Sequence, residues 1–446
     1  MSKIYLQSLG CSKNLVDSEN MLGILKMKGH TIVEFADKAD YIIINTCSFI
    51  NDAKEESINS IIEAAQLKQN TNIKIIVTGC LAQRYSYDLF KEVPEIDILV
   101  GTHGYDKIDL LIEKFEAEKD KVINIEMDET IVEDLPRELL TPNYYAFLKI
   151  SEGCSNNCTY CIIPKIRGKY RSRKIEDIVK EAHILADQGI KELIIIAQDT
   201  SKYGVDIYGE RQLHKLIQKL SKIDGIEWIR IHYLYPEDFY DELIQEFRNN
   251  NKLLKYFDIP LQHISNDVLK RMSRKTSNEQ ITHLIEKIRT EVPEAVIRTS
   301  LITGFPGETQ EDHNMLKSFL QQYKLDRVGV FKYSREEDTP AYRLKDQIDE
   351  EVKEQRQEEL MQIQQAISFA NNNAKIGNVY DVIIDEDSGE NEYVGRTYMD
   401  SPEIDGCVFV NSKKKLEVGN IYKVNIVDAL EYDLIGDIED EDELTQ

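Results

Sequence analysis

No run of apolar residues in this chain of 446 approaches the roughly 20 that cross a bilayer, so a membrane protein and a membrane partner are excluded. The first residues, MSKIYLQSLG, carry neither the apolar core of a signal peptide nor transit-peptide character, and a cytoplasmic location is expected. Cysteine is scarce. The seven present are odd in number and form no dense pairing pattern, which removes a disulfide framework and suits a compartment where thiols serve as metal ligands. Positive charge is also short, with 55 Lys and Arg against 80 Asp and Glu and a formal net charge of −25. Gripping nucleic acid needs clustered Lys and Arg, so a basic protein is the easier partner. No G-x-G-x-x-G follows the first apolar stretch, and a dinucleotide site of the Rossmann type is rejected. What is there, 41% hydrophobic and 30% charged residues, describes a globular chain long enough for two or three domains.

The stretch FLKISEGCSNNCTYCIIPKIRGKYRSR organises the rest. Cys154, Cys158 and Cys161 stand as C-x3-C-x2-C after an apolar run, residues 145–150, that reads as a buried strand. Three thiolates on one short loop can wrap a metal centre but fall one ligand short of closing it. An iron–sulfur cube would keep one iron open for another ligand, whereas a structural zinc site closes with four. A zinc ribbon would want a second C-x2-C nearby, and none follows. The loop runs on through Pro164 into Lys165, Arg167, Lys169, Arg171 and Arg173, which would suit an anionic or carboxylate-bearing ligand.

Ahead of it, strands are expected at 4–9, 31–35, 41–45, 74–78 and 97–100, alternating with helices to about residue 28, at 53–67 and at 85–91. That alternation predicts a doubly wound α/β domain over 1–125. Cys11 in SLGCSKN, Cys47 in NTCSF and Cys80 in TGCLA each follow the carboxyl end of a predicted parallel strand, where open α/β sheets bind ligands. Two readings stand: each is a small buried residue, or the three converge as a second three-thiolate site.

Residues 126–143 turn acidic and aperiodic around Pro136 and Pro142, and read as a linker. From 144 to 374, strands expected at 145–150, 192–197, 228–233, 256–259, 296–302 and 327–331 suggest a partial (β/α)6 barrel with a long exit helix over 346–375. Polar residues are expected at the carboxyl ends of those strands: Gln198-Asp199-Thr200, His232, Gln262-His263, Arg298-Thr299-Ser300 and Gly304 of TGFPGET. Each alone reads as a turn or a helix start; together they look like the lining of a pocket. Beyond 375 the period shortens. Strands at 379–384, 393–397, 408–410 and 422–429, with Gly377, Gly395, Gly406, Gly419 and Gly436 as turn markers, predict a small OB-like β-barrel over 375–436, followed by an acidic tail, 437–446. From Lys375 onward there are 19 acidic residues against 6 basic, which makes RNA a poor partner there. Cys407 reads as core.

The C-x3-C-x2-C spacing resembles that of radical S-adenosylmethionine (SAM) enzymes. With the three cysteines ahead of it and the small barrel behind, nearly the whole chain resembles the methylthiotransferases, whose C-terminal module is called TRAM. SLGCSKNLVDSE, ADYIIINTCSFI, VTGCLAQRY, AQDTSKYG, PLQH and RTYMDSPEIDG resemble the branch called RimO. That branch usually shows SLGCPKN, and Ser12 here replaces the proline, which touches loop conformation and not a ligand. The sister branch modifies an adenosine of transfer RNA and carries a first motif closer to FGCQMN, absent here.

The resemblance implies a [4Fe–4S] cluster on Cys154, Cys158 and Cys161, an auxiliary [4Fe–4S] cluster on Cys11, Cys47 and Cys80, and SAM as co-substrate. It implies insertion of a methylthio group at the β-carbon of an aspartate in small-subunit ribosomal protein S-twelve. Tyr160 would pack near the adenine, with Arg167, Gln198, Gln262 and Arg298 contacting SAM or the substrate carboxylate. The implied partners are that basic protein, the ribosome and an electron donor such as a flavodoxin or ferredoxin, without direct tRNA binding. The alternatives are the same chemistry on tRNA and, from another class, a non-catalytic metal-binding scaffold that docks on the ribosome.

Overall fold

The computed structural model describes residues 1–128 and 130–438. Its N-terminal sheet is built from β1 (Lys3–Ser8), β2 (Thr31–Ile32), β3 (Tyr41–Thr46), β4 (Lys74–Gly79), β5 (Ile98–Val100) and β6 (Val122–Asn124). All pairs are parallel, in the order β2-β1-β3-β4-β5-β6. The YIIINT run of β3 is apolar almost without break because the strand is covered on both faces, as parallel strands are. Ile42, Ile43 and Ile44 are at most 2% exposed. Burying each such side chain contributes roughly 1.5–3 kcal/mol.

Helices α1 (Ser12–Met27) and α4 (Ile108–Glu118) cover one face, and α2 (Asn51–Gln69) and α3 (Cys80–Glu92) the other. Strand order reverses between β1 and β3, so a crevice opens at their carboxyl ends. Three local expectations change. The second strand pairs only over Thr31–Ile32, α4 and β6 were not foreseen, and α3 begins at Cys80, kinking at Tyr85 (φ −124°).

The acidic segment 126–143 holds no helix or strand where described, yet it is fastened down. Arg137 pairs with Glu19 at 2.6 Å and Glu181 at 2.8 Å. Gly23 of α1 lets it approach: a β-carbon there would stand 2.3 Å from the Pro136 carbonyl oxygen.

The central domain has six parallel strands in two trios. One is β7 (Tyr145–Lys149), β10 (Glu192–Ile196) and β11 (Trp228–Ile231); the other is β12 (Tyr256–Asp258), β13 (Val296–Thr303) and β14 (Arg327–Lys332). The trios meet where Leu234 N–H donates to the Asp258 carbonyl at 2.8 Å and where Ile229 bridges Leu253. Two short strands, β8 (Ser151–Glu152) and β9 (Arg171–Ser172), pair antiparallel and bracket the cysteine loop. Alternate residues such as Leu193, Ile195, Ile229 and Ile231 face outward into a continuous core beneath the helices. The exit helix runs Glu350–Asn373.

The C-terminal domain is a closed five-stranded barrel ordered β15-β16-β17-β19-β18, from β15 (Val379–Gly389), β16 (Glu392–Arg396), β17 (Val408–Asn411), β18 (Ile421–Ala429) and β19 (Leu434–Asp437). The closing strand β19 was not foreseen. Gly395 and Gly436 are strand positions and not turns, because a β-carbon would come 2.5 Å from the Ile383 carbonyl oxygen or 2.4 Å from Val424. Cys407 precedes β17 and is half-buried. The acidic tail beyond residue 438 lies outside the described residues.

This small barrel caps the amino ends of the central strands. Its core is continuous with Tyr145, Phe147, Trp228 and Tyr256. Buried Glu192 accepts from Arg230 at 2.8 Å and Arg396 at 2.9 Å, and Arg327 pairs with Asp400 at 2.6 Å. Burial would raise the Glu192 pKa, but the two guanidinium groups hold it below the ordinary glutamate value. No helix among the described residues is long and apolar enough to cross a membrane.

Candidate active site

The barrel's cysteine loop is closed at its base by backbone. Gly153 adopts φ 74°, and a β-carbon there would stand 2.2 Å from the Lys169 carbonyl oxygen; Cys154 N–H donates to the Gly168 carbonyl at 3.1 Å. Inside the loop, Asn156 N–H points at Cys154 Sγ (3.4 Å), and Asn156 Nδ2 donates to buried Asp199 at 2.8 Å. Arg274 Nη1 lies 3.9 Å from Cys158 Sγ. Cys154 and Cys158 are buried and Cys161 half-buried. Burial pushes the Cys154 thiol up to about 11 and raises Cys161 as well, so loading a metal must take protons off both.

The other three cysteines converge from separate strands. Cys11 follows β1 and caps α1, Cys47 follows β3, and Cys80 opens α3 directly after β4. Gly10 (φ 85°) brings the first two together: a β-carbon there would stand 2.6 Å from Cys47 Cβ and 3.0 Å from its sulfur. Asn14 ties the strand ends, donating to the Leu9 carbonyl at 3.1 Å and the Thr46 carbonyl at 2.9 Å, while its oxygen lies 3.8 Å from Cys80 Sγ. Burial raises Cys47 and lifts Cys80 to about 12. Cys11 is lowered: burial opposes its ionisation, but the charges of Lys13 and Arg167 outweigh that. The helix N-terminus at Cys11 acts in the same direction.

A buried charge cluster joins the two sets. Arg167 reaches from the barrel loop to Asn14, to Asp17 at 3.0 Å and to Glu152 at 3.1 Å, and Lys149 pairs with the same Asp17 and with Glu152 at 3.0 Å. Ile162, the residue after Cys161, packs with Ile166 directly on Cys80. One cysteine of the N-terminal set thus packs on the segment that follows the barrel's three cysteines. Among the described residues no three His, Cys, Asp or Glu side chains are grouped to share one ion. Sulfurs on one tetrahedral zinc stand only about 3.8 Å apart, whereas thiolates at separate corners of a cube stand wider.

The remaining sequence candidates divide. Gln198 donates to Glu152 at 2.9 Å, and its buried Oε1 has no partner, an acceptor aimed at something the chain does not supply. Tyr160 meets Phe305 of the GFPGE turn edge-on at 6.5 Å. Gln262 holds φ 71° while its backbone bridges Ser300 and Ile302, a strained posture of the kind found at ligand sites. Arg167 lies beside the N-terminal cysteines rather than in the barrel mouth. Arg298 is the third residue of β13, not its end, and is committed to Asp258 at 2.7 Å and Asp405 at 3.4 Å. His232 faces Ser401 of the small barrel at 2.9 Å; burial pushes its pKa down to about 3.

Sequence reasoning missed Arg274, which carried no signal, and Lys13, which stood inside the GCSKN motif. Lys13 Nζ lies 3.5 Å from the ring centre of Tyr233, a residue held at φ 63°. A cleft of about 640 Å³ lined by Lys202, Arg211, His214, Asp238 and Tyr240 includes no cysteine and lies beside the site, not in it.

A three-cysteine loop at the mouth of a six-stranded partial barrel, joined to an α/β domain and an OB-like barrel, defines a radical SAM enzyme with a TRAM module. Residues 148–320 match the radical SAM superfamily, 3–101 the uncharacterized protein family UPF0004 and 376–438 the TRAM domain. The chain is 54% identical over 440 residues to the ribosomal protein uS12 methylthiotransferase RimO of Clostridioides difficile, covering 98% of this chain and 99% of that one. It is 51% identical over 437 residues to the RimO of a Thermoanaerobacter species, covering 98% and 100%. The chain belongs to the RimO family of methylthiotransferases. Among solved structures it is similar in fold to the radical SAM methyltransferase TsrM of Kitasatospora setae, with TM-score 0.57, 14% identity and coverage of 76% and 77%. It is similar in fold also to the cobalamin-dependent SAM radical enzyme OxsB, with TM-score 0.51, 13% identity and coverage of 81% and 56%.

Proposed function

We propose that this chain places a methylthio group on the β-carbon of an aspartate in ribosomal protein uS12. In this reading Cys154, Cys158 and Cys161 hold one [4Fe–4S] cluster, Cys11, Cys47 and Cys80 hold a second, and SAM binds at the barrel mouth. The observation that carries it is the packing of Cys80, from one three-cysteine set, against Ile162 and Ile166 on the segment that carries the other. When bound, the clusters and two molecules of SAM would supply the radical that removes hydrogen from an unactivated carbon and the methyl and sulfur that replace it, which no side-chain base can do.

The chain's own residues bind, orient and exclude water. Unpaired Gln198 Oε1 offers an acceptor to SAM, Tyr160 and Phe305 supply an apolar wall, and the Gln262 backbone is fixed at the rim. Arg167 and Lys149 neutralise Asp17 and Glu152 where the two domains meet. Arg298, at the floor of the barrel, holds Asp258 and Asp405 and reaches the substrate carboxylate only by exchanging one of them.

The working division is an α/β unit over 1–125, a linker over 126–143, the barrel and exit helix over 144–374, TRAM over 375–436 and a tail over 437–446. The acidic TRAM favours a basic protein over tRNA. Encounter on the ribosome, in the cytoplasm, with a flavodoxin or ferredoxin as electron donor, completes the reading. Anaerobic reconstitution should load about eight irons, four per cluster. Incubation with uS12 should then add one methylthio mass to a single aspartate. Addition to tRNA instead, or zinc without SAM turnover, refutes it.

A further inference from the structure

Among the described residues, most cations around the two cysteine sets pair with a carboxylate. Lys149 and Arg167 share Asp17 and Glu152, Lys202 meets Asp199 at 3.3 Å, Arg274 meets Glu237 at 3.5 Å and Arg298 meets Asp258 at 2.7 Å. Lys13 is 7% exposed and has no carboxylate partner among the described residues; its neighbours are the Tyr233 ring and the Cys11 thiol. An ammonium has three donors, and an aromatic face and a thiol leave it room for a further acceptor.

The arrangement is maintained at the expense of strain. Tyr233 sits at φ 63°, pinned by its N–H to Asp258 Oδ2 at 2.9 Å and by its carbonyl, which accepts from Thr200 N–H at 3.1 Å. That posture keeps the ring under Lys13, two residues from Cys11, on the side of the α/β domain that faces the barrel.

We infer that Lys13 is the recognition residue for the substrate's side-chain carboxylate, and that it selects an acidic side chain over a neutral one. The inference rests on the function proposed above. A methylthio group bound for the β-carbon of aspartate must meet a carbon one bond from the carboxylate. A cation beside the N-terminal cysteines is placed to anchor that group by a charge-assisted hydrogen bond. The Tyr233 ring then keeps the ammonium oriented and lends it no competing negative charge.

The test uses reconstituted full-length enzyme, native and with Lys13→Met or Lys13→Arg, and full-length uS12 carrying the target aspartate or its Asn counterpart. Binding is read by calorimetry and iron content is measured on every preparation. The native enzyme should bind the Asp form about 10- to 100-fold more tightly than the Asn form. Lys13→Met should bind both at the Asn level with unchanged iron, and Lys13→Arg should restore part of the preference. An Asp preference undiminished in Lys13→Met overturns the inference. So does a loss of iron in Lys13→Met with the preference retained in whatever binding remains, which would make the lysine a support of the N-terminal centre. Failure of the functional reading shows elsewhere, because there the native control itself leaves uS12 unmodified.

Discussion

Arg167→Met tests the joint between the two domains. The Arg167 side chain is 2% exposed, Asp17 5% and Glu152 11%, so the guanidinium leaves two nearly dry carboxylates behind. Removing one partner of a buried pair costs about 3–5 kcal/mol. Lys149 still touches both acids, which places the loss near the lower end, at about 3 kcal/mol. The single tryptophan, Trp228, is buried where the barrel meets TRAM and reports unfolding by fluorescence. With a urea slope of about 2 kcal/mol per molar, the midpoint should fall by about 1.5 M. Arg167→Met with Glu152→Gln should recover roughly half of that, because one stranded charge is gone. Glu152 is held well below its ordinary value; burial opposes this, and Lys149 and Arg167 outweigh it. Its stabilisation is therefore complete above the unfolded glutamate pKa and is lost only as pH falls through the lower folded value, so the deficit should be flat from about pH 5 to 8. A midpoint shift under about 0.3 M, or a double variant that loses the full sum of both single losses, would refute the reasoning.

Cys158→Ala should abolish 5′-deoxyadenosine release, whereas Cys47→Ala should keep it and lose methylthio transfer; loss of release in both would mean the two centres are not separable. Gly10→Ala drives a β-carbon to 2.6 Å from Cys47 Cβ at a φ of 85°, so reconstituted iron should fall from about eight toward about four, with unchanged iron as the contrary result. His232 should remain neutral by NMR down to about pH 4, since burial, the largest influence, pushes its pKa down to about 3. Its contribution is fully present above the unfolded histidine pKa near 6.5 and is lost as pH falls toward 3, so a His232→Gln variant should show a weaker acid dependence between those values.

The cysteines and the three-part division were legible because each rests on residue identity at short spacing or on a local change of period. β3 declared itself as a central strand through YIIINT. Charge partners did not, because the acids that commit Arg167 and Arg298 are spread along the chain, at Glu152 and Asp17 for the first and at Asp258 and Asp405 for the second. Both arginines looked free for a ligand until the fold brought those acids to them. Gly395 and Gly436 looked like turns because glycine marks unusual backbone angles and close approach alike, and only the packed barrel tells which applies. Lys13 drew no reading within its motif, and only its burial with no carboxylate partner among the described residues sets it apart.

The segment that carries Cys154, Cys158 and Cys161 also sends Ile162, Ile166 and Arg167 into the neighbouring domain, and ends at Arg173 clasping Glu133 and Glu181. It is at once the carrier of three cysteines and a fastener. Whatever unseats the strap, whether an oxidised thiol or a displaced Gly153, therefore disturbs the packing on Cys80 too. A disturbance at the barrel's cysteine loop reaches the N-terminal domain through about a dozen residues of backbone, with no long-range motion required.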